Sequence, residues 1–474
     1  MTCFRLFSLC LLQAANYPEW KAVGPWGGAA RVIRLDAQKP DTLMALAMRG
    51  TGVFRSRDAA KTWTALPAFP ELPNARLDSG LILPGKWLVG AAPGGLWRSI
   101  DEGESWQRVP GTEKLSFFAL TAWPRDPRVL AAGTNEGVWM SNNAGDTWRR
   151  ISPKSIDDLS AIVSVAFDPQ KAGILFAGTP HLPWKTINGG TSWQKAHIGM
   201  FDDSDIFSIV VDPTLPGRVF ASACSGIYCS LNSGAAWRRV QGIPGTNRRT
   251  YVVTQSPHNP KLLFAGTSAG MWTSSDGGSV WKKLNEYVAT SISFHPKDKK
   301  LFYASTERHG ILKTLNEGAS FEPVNTGFAS RSRFELQAEL EKLYGFVPQN
   351  ATGSDWFETA VNPFNPDVWL RASRAGLSRS EDSGKTWHQI ENGIGKEWIR
   401  SISFHPKRKG LCFALRQQRV FWSSDAGETW YWLPAKEEAH LMFDSLRTSE
   451  AYPALLFGIT ASRGVYVQNL PDIR

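Results

Sequence analysis

Histidine, methionine and cysteine are scarce in this 474-residue chain, at 8, 7 and 5 residues. The histidines fall singly or at a repeat spacing, without a His-x-x-x-His pair, so a catalytic metal and a metal cofactor are not expected. Cys224 and Cys229 flank a predicted hairpin tip, where either a disulfide or two thiols would fit; Cys412 has no obvious partner. Neither a third Cys nor a His stands at ligand spacing from that pair, which argues against zinc. A Gly-x-Ser-x-Gly elbow is missing, and the Gly-rich triplets are absorbed by turns, so no nucleotide cofactor is expected. Lys plus Arg is 53 against 43 Asp plus Glu, for a net charge of +10. No basic block of nucleic-acid-arm length accompanies that excess, and nucleic acid is excluded as the expected partner. After the N-terminus no run approaches the ~18 apolar residues of a membrane span.

Glycine (42), proline (29) and tryptophan (21) are abundant instead. That mixture favours many tight turns over long helices. The first residues, with Arg5 early in the apolar stretch 4–12 and small residues at Ala14 and Ala15, read as a secretory signal over 1–15, which places the mature chain outside the cytoplasm.

One octet of the form S/T-x-D/N-x-G-x-T/S-W recurs nine times, with its aromatic at Trp63, Trp106, Trp148, Trp193, Trp237, Trp281, Phe321, Trp387 and Trp430. The intervals are 43, 42, 45, 44, 44, 40, 66 and 43. Its third position is Asp58, Asp101, Asn143, Asn188, Asn232, Asp276, Asn316, Asp382 or Asp425. Such a side chain turns onto nearby backbone N–H groups while Gly supplies a positive φ, so these residues are expected to be structural. Ahead of each octet lie an apolar strand ending in a turn, as in Val165-Ala166-Phe167-Asp168-Pro169, and then a hairpin.

Each unit therefore reads as four short antiparallel strands, a propeller blade, and the fold class as all-β. A tenth hairpin, 454–467, lacks an outer strand, and Tyr17–Val23 looks like an outer strand without a blade. Joining them predicts ten blades in one ring, 16–474, closed by the chain ends; a seven-bladed ring would leave three blades that cannot close. The 66-residue interval carries an insertion over about 325–355, whose residues 334–344 have the apolar spacing of an amphipathic helix.

The octets are similar to the Asp-box, or bacterial neuraminidase repeat. Together with the opening Trp20–Gly28 they resemble Asp-box propellers of the sortilin type, which are ten-bladed, and also photosystem II assembly factors and xyloglucan-active glycosidases. Two departures stand against a catalytic member of that superfamily. The Arg-Ile-Pro segment of sialidases is missing, and Arg49, in Met48-Arg49-Gly50-Thr51-Gly52, stands about where the xyloglucan-active enzymes place a carboxylate.

In a propeller the binding face is built by the turns between second and third strands and by the connections between blades. Those positions hold Arg49, Arg308, His309, Arg374, Arg416, Arg419 and Arg463, with Lys396, Arg331 and Arg333 nearby. Blades three to five offer Glu136, Asp157, Asp158, Asp202, Asp203 and Asp205 there. The basic arc is the expected site for a protein or carbohydrate partner carrying negative charge, since arginines recognise carboxylates bidentately. Octet and strand-periodic positions account for most of the Trp residues; Trp356 and Trp398 lie free, near the blade connections. The alternative is a divergent glycoside hydrolase, sialidase-like or β-glucan-active, drawing carboxylates from Asp157, Asp158, Asp202, Asp203, Asp205 or Glu307.

Overall fold

The computed structural model describes residues 21–24, 27–48, 52–67, 69, 72, 75–202, 204–245, 249–326, 328–330, 358–434, 443–449, 452–460 and 464–470. The predicted helix at 334–344 lies outside them. Ten four-stranded antiparallel sheets are present among the described residues, nine of them with their strands in chain order. We number them as blades 1 to 10: residues 30–65, 76–108, 117–150, 164–195, 206–239, 250–285, 289–323, 358–390, 399–432 and 443–469. Blade 10 takes its outer strand from the N-terminus, where Lys21–Gly24 pairs beside Gly464–Asn469, as expected.

The octet folds as the residue types demand. In blade 2, Ser99 Oγ donates to Asp101 Oδ1 (2.7 Å) and accepts the Gly103 N–H (2.7 Å), while the Ser105 N–H donates to Asp101 Oδ1 (2.9 Å). Where Asn replaces Asp, its Nδ2 donates to the hydroxyl that otherwise donates: Asn143 to Thr147 and Asn188 to Ser192, both at 2.9 Å. Two successive residues take positive φ, such as Glu102 (56°) and Gly103 (90°). The second is Gly because a Cβ would lie 2.3 Å from Leu66 of the preceding blade. The indole N–H of Trp148, Trp281, Trp387 and Trp430 donates to the carbonyl of that octet's own Gly. In Trp63, Trp193 and Trp237 it reaches outside its own octet, to the carbonyls of Val324, Ile151 and Ala196.

The grouping of the blades differs from the single ring of ten. The chain divides into two compact units, one holding 24–332 and 461–464, the other 1–23, 333–460 and 465–474. In the first unit, the inner strands of blades 1 to 7 touch in turn, and Ala289–Phe294 of blade 7 packs back against Ala30–Leu35 of blade 1. Each of the seven interfaces has its own buried apolar core. Among the described residues, the seam between blades 7 and 1 shares no blade strand, although Gly27–Gly28 pairs in parallel with Ala329–Ser330 beside it. Thr290 Oγ1 donates to the Ala30 carbonyl (2.6 Å) and the Trp63 N–H to that of Thr326 (2.7 Å), while fully buried Phe328 lies 4.7 Å from the Phe54 ring. Seven blades thus close a ring by themselves, because whole-blade packing at the seam satisfies both flanking sheets. In the second unit blades 8, 9 and 10 stand in a row, with cores between 8 and 9 and between 9 and 10.

Candidate functional site

Inner strands share an irregularity that sets the site's geometry. A register shift skips one residue near the strand start: Arg31, Asp78, Phe118, Phe207, Tyr251 and Thr290 in the seven-bladed unit, and Arg400 and Asp444 in the second. Such a bulge re-aims a side chain out of the strand alternation. Bulged residues of adjacent blades meet: Arg31 with Asp78 (3.2 Å), Arg400 with Asp444 (3.3 Å), and the Phe207 and Tyr251 rings with centroids 6.2 Å apart. The hairpin tips sit at the same end, because the residue after the second strand donates to the carbonyl just before the inner strand, as Ser268 does to Arg249 and Gln417 to Trp398.

In the second unit this places Trp398 at the centre of a cationic group. The indole is 36% exposed on the connection between blades 8 and 9. The Arg400 guanidinium stands 4.5 Å from its ring centroid and that of Arg374, from the hairpin tip of blade 8, 5.9 Å. Arg419, on the tip of blade 9, stands 5.6 Å over exposed Trp432. Arg416 is differently engaged: it donates to the Ile394 carbonyl, pairs with Glu397 (3.3 Å) and lies 4.8 Å from the Phe421 ring. Lys396 is paired with Glu391 (2.9 Å). Arg374 and Arg419 are thus the exposed guanidinium groups held over Trp rings, and a guanidinium on a Trp face keeps its N–H donors at the edge, toward solvent.

In the seven-bladed unit, Arg308 and His309 are exposed on the tip of blade 7, with the His309 ring edge-on to Tyr287 at 4.9 Å. Nearby, Arg249 stands 5.1 Å from the Phe207 ring and 5.9 Å from that of Tyr251. Burial, then the charge of Glu307, pushes the Tyr251 hydroxyl above its ordinary value. Glu136, Asp157 and Asp202 are exposed and Asp205 half-buried; Asp158 is paired with Lys195 (2.9 Å). Arg49, Asp203, Arg331, Arg333, Trp356 and Arg463 lie outside the described residues. Cys224, Cys229 and Cys412 form no disulfide with one another, and Cys229 stands opposite Phe220 rather than Cys224, so the disulfide option is not taken. Among the described residues no group of three or more His, Cys, Asp or Glu is arranged to hold a metal.

Arg400 and the bulge residues were not singled out from sequence. They sit inside apolar strands, and only pairing register reveals which residue is skipped.

Residues 375–467 match the family model described as "Sortilin, neurotensin receptor 3". Ten four-stranded sheets built on a nine-fold octet, together with that match, decide the class. The chain is a repeat β-propeller protein. It is 31% identical over 133 residues to a probable oligoxyloglucan-reducing end-specific xyloglucanase of Neosartorya fischeri, covering 26% of the chain and 16% of that relative. To the oligoxyloglucan-reducing end-specific xyloglucanase of Emericella nidulans it is 24% identical over 237 residues, covering 39% and 29%. The chain therefore spans less than a third of the length of either. Among solved structures, an ancestral GH74 enzyme superposes with a TM-score of 0.63 at 14% identity, over 96% of this propeller and 99% of that chain. The GH74 xyloglucanase of Xanthomonas campestris gives 0.58 at 15% identity, over 95% and 87%. YCF48 from Cyanidioschyzon merolae gives 0.50 at 19%, over 64% and 100%. At these identities the likeness is one of fold.

Proposed function

We propose that this propeller is an exported binding module that holds a protein or glycan partner through its negative charge, using Arg374, Trp398 and Arg419. The observation that carries this reading is the exposed Trp398 flanked by guanidinium groups on two blades. Cations fixed over aromatic faces lose little rotamer freedom on binding, which favours bidentate contact with a carboxylate. Trp398 adds an apolar surface for a sugar or side chain beside it.

Partial likeness to xyloglucanases favours hydrolysis as the second reading. A glycosidase needs one carboxyl held neutral near the working pH and a second carboxylate on the opposite side of the bond. Among the described residues, every carboxyl with a perturbed ionisation is held below its ordinary range, as Asp101, Asp126, Asp212 and Asp382 are at about 2. The test is to incubate the purified chain with xyloglucan oligosaccharides and sialosides while screening arrays of acidic glycans and peptides. Binding that falls tenfold or more in Arg374→Ala and Trp398→Ala, with no new reducing ends, is expected. New reducing ends that vanish in Glu307→Gln would replace this reading with the hydrolase.

A further inference from the structure

The two units contain one structural position twice, and they complete it differently. In blade 10 the third residue after the bulge is Arg447, and in blade 1 it is Arg34. Both arginines use Nη1 in the same way. Arg447 donates to the carbonyl of the residue before it, Leu446 (2.7 Å), and to Ser401 Oγ (3.2 Å) on the inner strand of the preceding blade. Arg34 donates to its own preceding carbonyl, Ile33 (2.8 Å), and to Ser291 Oγ (2.8 Å), again on the inner strand of the preceding blade. Ser401 and Ser291 are each the first residue after their strand's bulge.

The counter-charge is where they part. Arg447 has a buried carboxylate, Glu358 Oε1 at 2.8 Å, reaching it from two blades away. Glu358 pairs with Ala372, the residue just before the last pair of its hairpin. The residue in that register two blades before Arg34 is Val252, which pairs with Gly266. Arg34 is left with neutral acceptors, the third being the Gly80 carbonyl on Nε (3.0 Å), and its Nη2 has no partner among the described residues. Burial pushes its guanidinium down to about 10. A guanidinium does not shed its proton in a protein, and an enclosed charge without a partner is costly. Yet Arg34 keeps some solvent exposure, as a side chain facing the lumen enclosed by seven inner strands does.

We propose that the lumen of the seven-bladed unit binds a carboxylate at Arg34, in the place that the Glu358 carboxylate occupies beside Arg447. Val252 makes the room and leaves the charge unmet; the ligand supplies what the other unit encodes in its own sequence. This inference is independent of the Arg374–Trp398 site.

The experiment is thermal unfolding and calorimetric titration of the full chain at pH 7 and constant ionic strength, in chloride, acetate, glucuronate and phosphate. Acetate is expected to raise the Tm with the logarithm of its concentration, by about 3 °C at a hundredfold excess over its Kd, and to saturate in the calorimetric titration. An equal response to glucuronate shows that the lumen admits a carboxylate borne on a larger group; a response to acetate alone assigns a free small acid. Val252→Glu, which restores the internal carboxylate, and Arg34→Met, which removes the charge, should each unfold cooperatively and lose at least tenfold in acetate affinity. The proposal is overturned by wild type with no acetate-specific shift, by a shift with phosphate but not acetate, or by undiminished acetate affinity in both variants.

Discussion

Asp212 offers the sharpest test of how the blade ends are held. It closes the turn after the inner strand of blade 5 with its side chain fully buried. Oδ1 accepts from the Thr214 N–H (2.8 Å), the Thr214 hydroxyl (2.7 Å) and the Leu215 N–H (3.0 Å); Oδ2 accepts from Arg218 Nε (2.8 Å) and from Gln255 Nε2 of blade 6 (2.7 Å). Burial by itself would push this carboxyl up, but the bonds from Gln255, Thr214, Arg218 and Leu215 outweigh it and bring the group to about 2, from 3.8. At about 1.4 kcal/mol per unit, that lowering corresponds to roughly 2 kcal/mol of stability. The contribution is fully present above pH 3.8 and is lost as pH falls from there through about 2. Asp212→Asn should therefore cost roughly 2 kcal/mol at pH 7 and flatten the acid slope. Asp212→Ala also strands Arg218 and should cost about 3–5 kcal/mol. Urea unfolding followed by Trp fluorescence at pH 7 and pH 3 measures both. A loss under about 1 kcal/mol for Ala, or a wild-type acid slope in Asn, would refute the reasoning.

Three further outcomes are expected. Ala60 occupies the octet position that is Gly elsewhere, at φ 67°, so Ala60→Gly should raise stability by about 1 kcal/mol in urea melts; a loss would mean that its buried methyl outweighs the strain. His405 accepts the Lys407 and Arg408 N–H groups on Nδ1 and donates from Nε2 to the Pro453 carbonyl, and burial lowers its pKa below 6.5. The neutral ring is the one that fits, so stability should decline as pH drops below 6.5, a decline absent from His405→Asn; an identical pH profile in the variant counts against this. Trp430 is 2% exposed, and Trp430→Ala should cost about 3–5 kcal/mol by urea midpoint, more than Trp387→Ala, whose ring is only half-buried.

The blades were legible because their signals are local. A Ser or Thr, an Asp or Asn, a Gly (Ala60 in the first copy) and a Trp (Phe321 in the seventh) within eight residues dictate a turn that hardly depends on the rest of the chain, and the nine copies announce nine hairpins. His295 and His405 stand where other blades have Asp, a substitution that becomes intelligible once Nδ1 is seen accepting the same pair of N–H groups. The division into seven and three was not legible from blade count, since every blade looks alike and closure depends on which inner strands meet. The one mark is the 66-residue interval between Phe321 and Trp387, which brackets the boundary between the units and in sequence looks like an insertion. At the candidate site, Arg374 and Trp398 were anticipated and do meet. That Arg416 turns to Glu397 and Ile394, while Arg400 takes a place beside Trp398, depends on a bulge that composition does not announce.

The seam between blades 7 and 1 has a kinetic meaning. Its bonds join residues far apart in the chain: Arg34 to Ser291 across 257 positions, Thr290 to Ala30 across 260, Trp63 to Val324 across 261. Each blade can form from neighbours in sequence, but these bonds form only after the intervening blades have brought the ends together, so the loop entropy falls on one late step. Among the described residues no blade strand crosses the seam to latch it, and the parallel pair beside it, Gly27–Gly28 with Ala329–Ser330, is two residues long. The seam should therefore be the hinge at which the ring breathes, and amides along Ala30–Leu35 and Ala289–Phe294 should exchange with solvent earlier than those of blades 3 and 4, through openings that leave every blade folded.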